Sequence, residues 1–311
     1  PPVVFTGEHE MNYDLIRGGL EKRLSGERYT LCEGEIVSEI IREAKVEAGQ
    51  DELRSILEGH SFKITESMVP ALYRLCSEVK EALRFEEPVE FFVMNRPDLN
   101  CAARPRLEED HAHLIMINSG ILTHFDDDEL RFVIGHELGH LISKNSDLFR
   151  IMSFVFPPGT AVPLLFTNKV ELWQKVAELS ADRYGFIASP NLDKCVSAFF
   201  KLASGLNTER ISFDPGAYIE EMDRVLEYFR SESAPADASH PVNPIRIKAL
   251  QHFSNSDLYG AVAAEQELAE DASLAEKLDE LLGILASAGF SELDNHRRHF
   301  VASGGIVVSG V

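Results

Sequence analysis

Residues 125–144 read FDDDELRFVIGHELGHLISK, and His136-Glu137-Leu138-Gly139-His140 within them constrains this chain more than any other stretch. Residues four apart lie on one helix face, so on a helix both imidazoles can reach a single metal ion. Glu137 follows His136 by about a third of a turn, close enough to hold a water at that ion and take its proton. The local sequence favours a helix. Asp126 or Asp127 can cap it, acidic residues fill its first turn, and Leu130, Val133, Ile134, Leu138 and Leu141 make an apolar stripe. Gly135 and Gly139 run against the pattern, since each costs about 1 kcal/mol in a helix interior relative to alanine. A strand or a substrate is therefore expected to come close to the backbone there.

At 311 residues the chain can hold one large core or two to three smaller units, and its 44% apolar and 26% charged residues are those of a globular protein. The net charge of −21 argues against nucleic acid and anionic membranes as main partners, because both need cationic patches. Cys32, Cys76, Cys101 and Cys195 are scattered, which fits a reducing compartment and not a disulfide framework. No basic segment followed by an apolar one suggests a signal peptide, though the chain opens Pro1-Pro2-Val3 without methionine and an upstream segment is expected to have been removed. The apolar run Ile151–Phe166 is too short to span a bilayer and is broken by Pro157, Pro158, Gly159 and Pro163. The expectation is a soluble, cytoplasmic protein, with this run either a lid over a cleft or a patch for peripheral membrane or protein contact.

Three units are expected: a helical segment over 1–60, a catalytic domain over 61–255 and a small helical domain over 256–311. Pro70–Arg84 has the periodicity of an amphipathic helix. Val89–Met94 and His113–Asn118 read as strands, with a strand or bend at Leu99–Ala103 between them. An exposed edge strand there could pair with an extended peptide. A further helix is expected to start at Asn168, with Glu171 completing a capping box, and to bury Leu172, Val176 and Leu179. On it Glu178 and Asp182 share a face, which suits one carboxylate ligand and a second carboxylate orienting a ligating imidazole. Near residue 240, His240-Pro241 precedes a helix opened by Asn243-Pro244, which places His240 to point into a cleft. Lone histidines are more often surface or capping residues, so His111, His113 and His124 stay outside the candidate site.

Together these pieces resemble the HtpX-like and CAAX-prenyl-protease-like zinc metallopeptidases, a branch of the gluzincins. The resemblance rests on Asn100-Cys101-Ala102, Asn118-Ser119-Gly120-Ile121-Leu122 with Asp128-Glu129-Leu130, the His136–His140 motif, Glu178-Leu179-Ser180-Ala181-Asp182, and His240-Pro241 with Arg246. It covers roughly residues 62–250. The tail after about residue 258 resembles tellurite-resistance-type (TerB-like) helical domains. The resemblance implies an α+β, mostly helical gluzincin core with a small sheet beside the metal helix and helical additions at both ends. It implies one Zn²⁺ per chain on His136, His140 and Glu178, with Glu137 as general base, Asp182 bracing a ligand histidine and His240 stabilising the oxyanion. Arg246 is either an anchor for a carboxylate or a structural ion-pair residue.

Three protein ligands leave a fourth position open, as in catalytic zinc sites. The expected activity is a zinc endopeptidase cutting extended or unfolded protein segments. The alternative is an inactive or autoinhibited metallopeptidase-like scaffold that binds partner proteins. Two departures from the family pattern stand out. Glu178 follows His140 by only 38 residues, where membrane-embedded relatives carry transmembrane segments, and Cys101 replaces a small alanine.

Overall fold

A computed structural model describes residues 11–32, 50–106, 110–144, 164–208, 211–232 and 243–284. The apolar run at 151–163, the loop holding His240 and the tail beyond 284 lie outside the described residues. In chain order the elements are α1 (Tyr13–Ile16), α2 (Gly19–Cys32), α3 (Gln50–His60), β1 (Phe62–Lys63), α4 (Pro70–Ala82), β2 (Val89–Met94), β3 (Cys101–Arg104) and β4 (His113–Asn118). They continue as α5 (Ser119–His124), α6 (Asp127–Ile142), α7 (Leu164–Ala188), α8 (Leu192–Ser204), α9 (Pro215–Glu232), α10 (Asn243–Ser254) and α11 (Asp257–Ala263), with residues 272–284 also helical. The fold is α+β, as expected from the sequence.

The sheet has the order β1-β2-β4-β3. The strand β4 runs parallel to β2 and antiparallel to β3. Its sequence HLIMIN is buried along almost its whole length, as a central strand requires. The short strand β1, paired antiparallel with β2, carries no periodicity long enough to read in advance. At the opposite edge lies β3. The Asn118 N–H donates to the Asn100 carbonyl at 3.0 Å, so by the period of two Asn100, Ala102 and Arg104 face β4. Cys101 and Ala103 turn their backbone groups to the free edge.

Helix α6 begins as its sequence predicts. The Asp126 side chain accepts from the N–H groups of Asp128 and Glu129, and the Glu129 side chain returns to the Asp126 N–H. All five stripe residues are buried, and Phe132 is buried as well, so α6 is enclosed on most sides. The two glycines have a different cause from the one expected. A Cβ on Gly135 would lie 2.7 Å from the Ala188 Cβ, and one on Gly139 would lie 2.7 Å from a Tyr184 ring carbon. Gly185 answers from the other side, where a Cβ would meet the Phe132 carbonyl at 2.7 Å. What approaches the backbone is therefore a second helix, α7, and neither a strand nor a substrate. Small residues at the crossing let two antiparallel helices come close enough for short side chains to meet across them.

Helix α7 also starts earlier than expected. It begins at Leu164, so Asn168 is interior and not its cap. Leu164, Leu165 and Phe166 extend the helix because helix-forming leucines outweigh the local preference of an asparagine for a cap. Around the α6–α7 pair, α1 and α2 pack on the far side of α7, while α8 and α10 close the near side. Leu258, Leu274, Leu278, Leu281 and Ile284 belong to the same hydrophobic core as Leu138 and Tyr184.

Candidate metal centre

Three elements bring the polar groups together. α6 supplies His136, Glu137 and His140, α7 supplies Glu178 and Asp182, and α10 supplies Arg246. His136 Nε2 lies 3.1 Å from His140 Nε2 and 3.4 Å from Glu178 Oε2. His140 Nε2 lies 3.3 Å from Glu178 Oε1. A tetrahedral zinc with bonds of about 2.0–2.2 Å to nitrogen and oxygen has ligand–ligand edges of about 3.3–3.6 Å. Among the described residues, His136, His140 and Glu178 are the group of three whose ligand atoms lie within 4.8 Å of one another. The donor set, two imidazoles and a carboxylate, suits zinc.

Charge balance supports a cation here. Glu137, Glu178 and Asp182 converge with a single guanidinium, Arg246. In the metal-free chain the imbalance falls on His136. Burial opposes its charge, but hydrogen bonds to Asp182 and Glu178 more than offset this and raise its pKa to about 10. A divalent ion would take the place of that proton.

Asp182 bonds the His136 ring. Its Oδ1 is 2.9 Å from His136 Nδ1, which turns Nε2 toward Glu178. Arg246 is committed to Asp182, with Nε donating to Oδ2 at 2.9 Å and Nη2 to Oδ1 at 2.6 Å. Its guanidinium also lies 4.6 Å from the Phe199 ring centroid and its Nη2 lies 3.7 Å from Glu178 Oε2. The Arg246–Asp182 contact is a bidentate ion pair. Burial would raise the Asp182 pKa, but Arg246 and His136 outweigh it and hold it below the usual value. The bracing is one-sided. His140 Nδ1 is buried without a hydrogen-bond partner among the described residues.

Glu137 points from α6 toward the sheet, where its Oε2 accepts from the Ala103 N–H at 2.8 Å. Burial raises its pKa above the usual carboxylate range. This contact was not legible in the sequence, since any residue but proline supplies a backbone N–H. The neighbouring Cys101 thiol is pushed well up by burial and by the Glu137 carboxylate, so it stays protonated and is a poor metal ligand. His113 bonds Glu87 and the Arg106 N–H, while His124 bonds the Gly120 carbonyl, so both lie outside the centre. His240 lies outside the described residues.

The chain also resembles known proteins in sequence. The family model of Peptidase family M48 matches residues 70–155. The chain is 22% identical over 212 residues to Plastoglobule-localized metallopeptidase 48, chloroplastic, of Arabidopsis thaliana, covering 64% of this chain and 61% of that protein. It is 30% identical over 154 residues to Protease HtpX homolog of Methanopyrus kandleri, covering 44% of this chain and 47% of that one. The chain thus spans about three fifths of one curated relative's length and about half of the other's. No solved structure matches the chain. Among the described residues no helix is long and apolar enough to cross a membrane. By its motifs, its His-His-Glu cluster and these matches, the chain is similar to the HtpX-like metallopeptidases of family M48.

Proposed function

We propose that this chain is a zinc-dependent endopeptidase that cuts extended or unfolded protein segments. The observation that carries the reading is the position of Glu137. It sits between the His136-His140-Glu178 group and the free edge of β3, a place that a purely structural metal site would not need to fill with a carboxylate. Zinc on those three ligands would supply Lewis acidity to a scissile carbonyl and bring the pKa of a water to about 7.

The chain's own residues account for the rest. Asp182, held by Arg246, fixes the His136 ring and its Nδ1–H, so that its Nε2 lone pair faces the cluster. An extended substrate adds to the β3 edge through the backbone groups of Cys101 and Ala103. When the Ala103 N–H turns to the substrate, Glu137 is released from its hydrogen bond. Its raised pKa brings it nearer the range in which a carboxylate accepts a proton from water and returns it to the leaving amine. His240 is assigned to the oxyanion by the family pattern alone.

Glu137→Gln keeps the shape and removes the base. The expected result is a loss of casein hydrolysis of about 10²–10⁴-fold at unchanged zinc content. If wild type and Glu137→Gln hold equal zinc and neither cleaves casein, the scaffold reading replaces this one.

A further inference from the structure

Helix α7 has a second set of polar contacts, directed away from the metal centre. Trp173 Nε1–H donates to Ser25 Oγ at 2.9 Å. The Gly18 N–H donates to Ser180 Oγ at 3.0 Å. Arg183 Nη1–H donates to the Ile16 carbonyl at 2.7 Å, and the Tyr184 hydroxyl to the Tyr13 carbonyl at 3.2 Å. Bonds thus run in both directions between α7 and residues 13–25. They are spread over about three turns, so they fix both the rotation and the height of the helix. Ser180 lies between Glu178 and Asp182 in the chain, and Arg183 follows Asp182. A slide of one residue, about 1.5 Å, would break both sets of contacts together.

The N-terminal residues are themselves anchored. Glu21, with 0% exposure, accepts from Arg17 Nε at 2.7 Å and Nη2 at 2.9 Å, and from Ser25 Oγ at 2.8 Å. The Tyr13 hydroxyl lies 2.8 and 2.9 Å from the carbonyls of Leu83 and Arg84 at the end of α4. Burying Glu21 and Arg183 costs desolvation that apolar packing would avoid, so this contact is selective about geometry as well as adhesive.

We propose that residues 13–25 form a clasp that sets the metal centre. Trp173, Ser180 and Arg183 are positioning residues. Through Ser25, Gly18 and Ile16 they hold α7 where Glu178 meets both histidines and Asp182 meets His136. The proposal rests on the reading of His136, His140 and Glu178 as metal ligands. It gives the N-terminal helices the opposite role to an inhibitory segment, because loosening them weakens the site.

The test uses the full chain with Ser180→Ala, Trp173→Phe and the double variant. Leu278→Ala, a core truncation that removes no bond to α7, serves as the stability control. Zinc affinity is read by competition with a fluorescent chelator at fixed pH, and the visible absorption of the Co²⁺ form reports coordination geometry. Losing such support for a ligand costs about 10–100-fold in metal affinity, and the double variant is expected in that range with an altered Co²⁺ spectrum. Leu278→Ala is expected to lower Tm with affinity and spectrum unchanged. Wild-type affinity and spectrum in the double variant would overturn the clasp and leave the ligand reading intact. Tighter binding or faster casein hydrolysis would overturn it in favour of a brake. A wild type that binds no zinc would overturn the ligand reading, and the clasp with it.

Discussion

Helix α6 carries two buried polar clusters, one at each end, and they differ in charge balance. At its N-terminus the Glu129 carboxylate accepts from Lys201 Nζ at 2.6 Å, from Ser197 Oγ at 2.6 Å and from the Asp126 N–H at 2.8 Å. Lys201 also donates to the His124 carbonyl at 2.7 Å. One carboxylate faces one ammonium, and both are satisfied. Toward the C-terminus three carboxylates, Glu137, Glu178 and Asp182, face one guanidinium. Burial is similar at the two ends, and so is the cost of desolvating charge. Buried charge alone therefore does not mark a functional site. Charge that the chain leaves uncompensated does, because a balanced cluster is complete without a ligand and an unbalanced one is not.

The comparison breaks most visibly at its balanced end. Lys201→Met fills the same space with an apolar side chain and leaves Glu129, 1% exposed, without its counter-charge. Removing one partner of a buried ion pair costs about 3–5 kcal/mol. Denaturant unfolding should show a loss of that order, with zinc bound per folded chain unchanged. A Lys201→Met protein as stable as wild type would show that Ser197 and the Asp126 N–H suffice for Glu129. Charge balance would then not be what completes that end of α6.

Legibility in the sequence divides along similar lines. The acidic cap of α6, the strands β2 and β4 and the pairing of Glu178 with Asp182 on one face are local patterns, and each has a period or spacing that survives without tertiary context. Lys201 and Glu129 meet across 72 residues, and nothing in either neighbourhood announces the other. The glycines were visible as an anomaly, but their cause lay in Tyr184, Gly185 and Ala188 on another helix. Arg246 could be placed near the site by the family pattern, yet its bidentate pairing with Asp182, 64 residues away, has no local sign. The clasp was invisible for the same reason, since residues 13–25 have ordinary composition and three of their four contacts with α7 come from the backbone groups of Tyr13, Ile16 and Gly18.

At the unbalanced end the smaller test is Asp182→Asn. The change keeps the shape, removes one negative charge and presents Arg246 and the His136 Nδ1–H with a weaker acceptor. Zinc affinity should fall about 10–100-fold, the range for losing a carboxylate that orients a metal-bound histidine. Stability of the metal-free chain should change less than in Lys201→Met, because the substitution also relieves crowding among the three carboxylates. Equal affinity in the two proteins would show that the His136 ring is held by packing alone.

The last test separates the clusters by pH. In the metal-free chain His136 holds a second proton up to about pH 10, and a metal must displace it. The apparent zinc affinity should therefore rise about tenfold per pH unit from neutrality toward 10, with about one proton released per ion bound. The folding sign is the reverse. A histidine whose folded pKa is raised contributes stability that is full below its unfolded value of about 6.5. That contribution is lost as pH rises through about 10. Metal-free protein should thus lose stability over the interval in which zinc binds more tightly, so the stabilisation conferred by zinc should widen with pH. Parallel melts with zinc and with chelator between pH 6.5 and 9 measure the gap. A gap that stays constant would show that no proton on His136 competes with the metal, and that the charge imbalance at this end of α6 is relieved elsewhere.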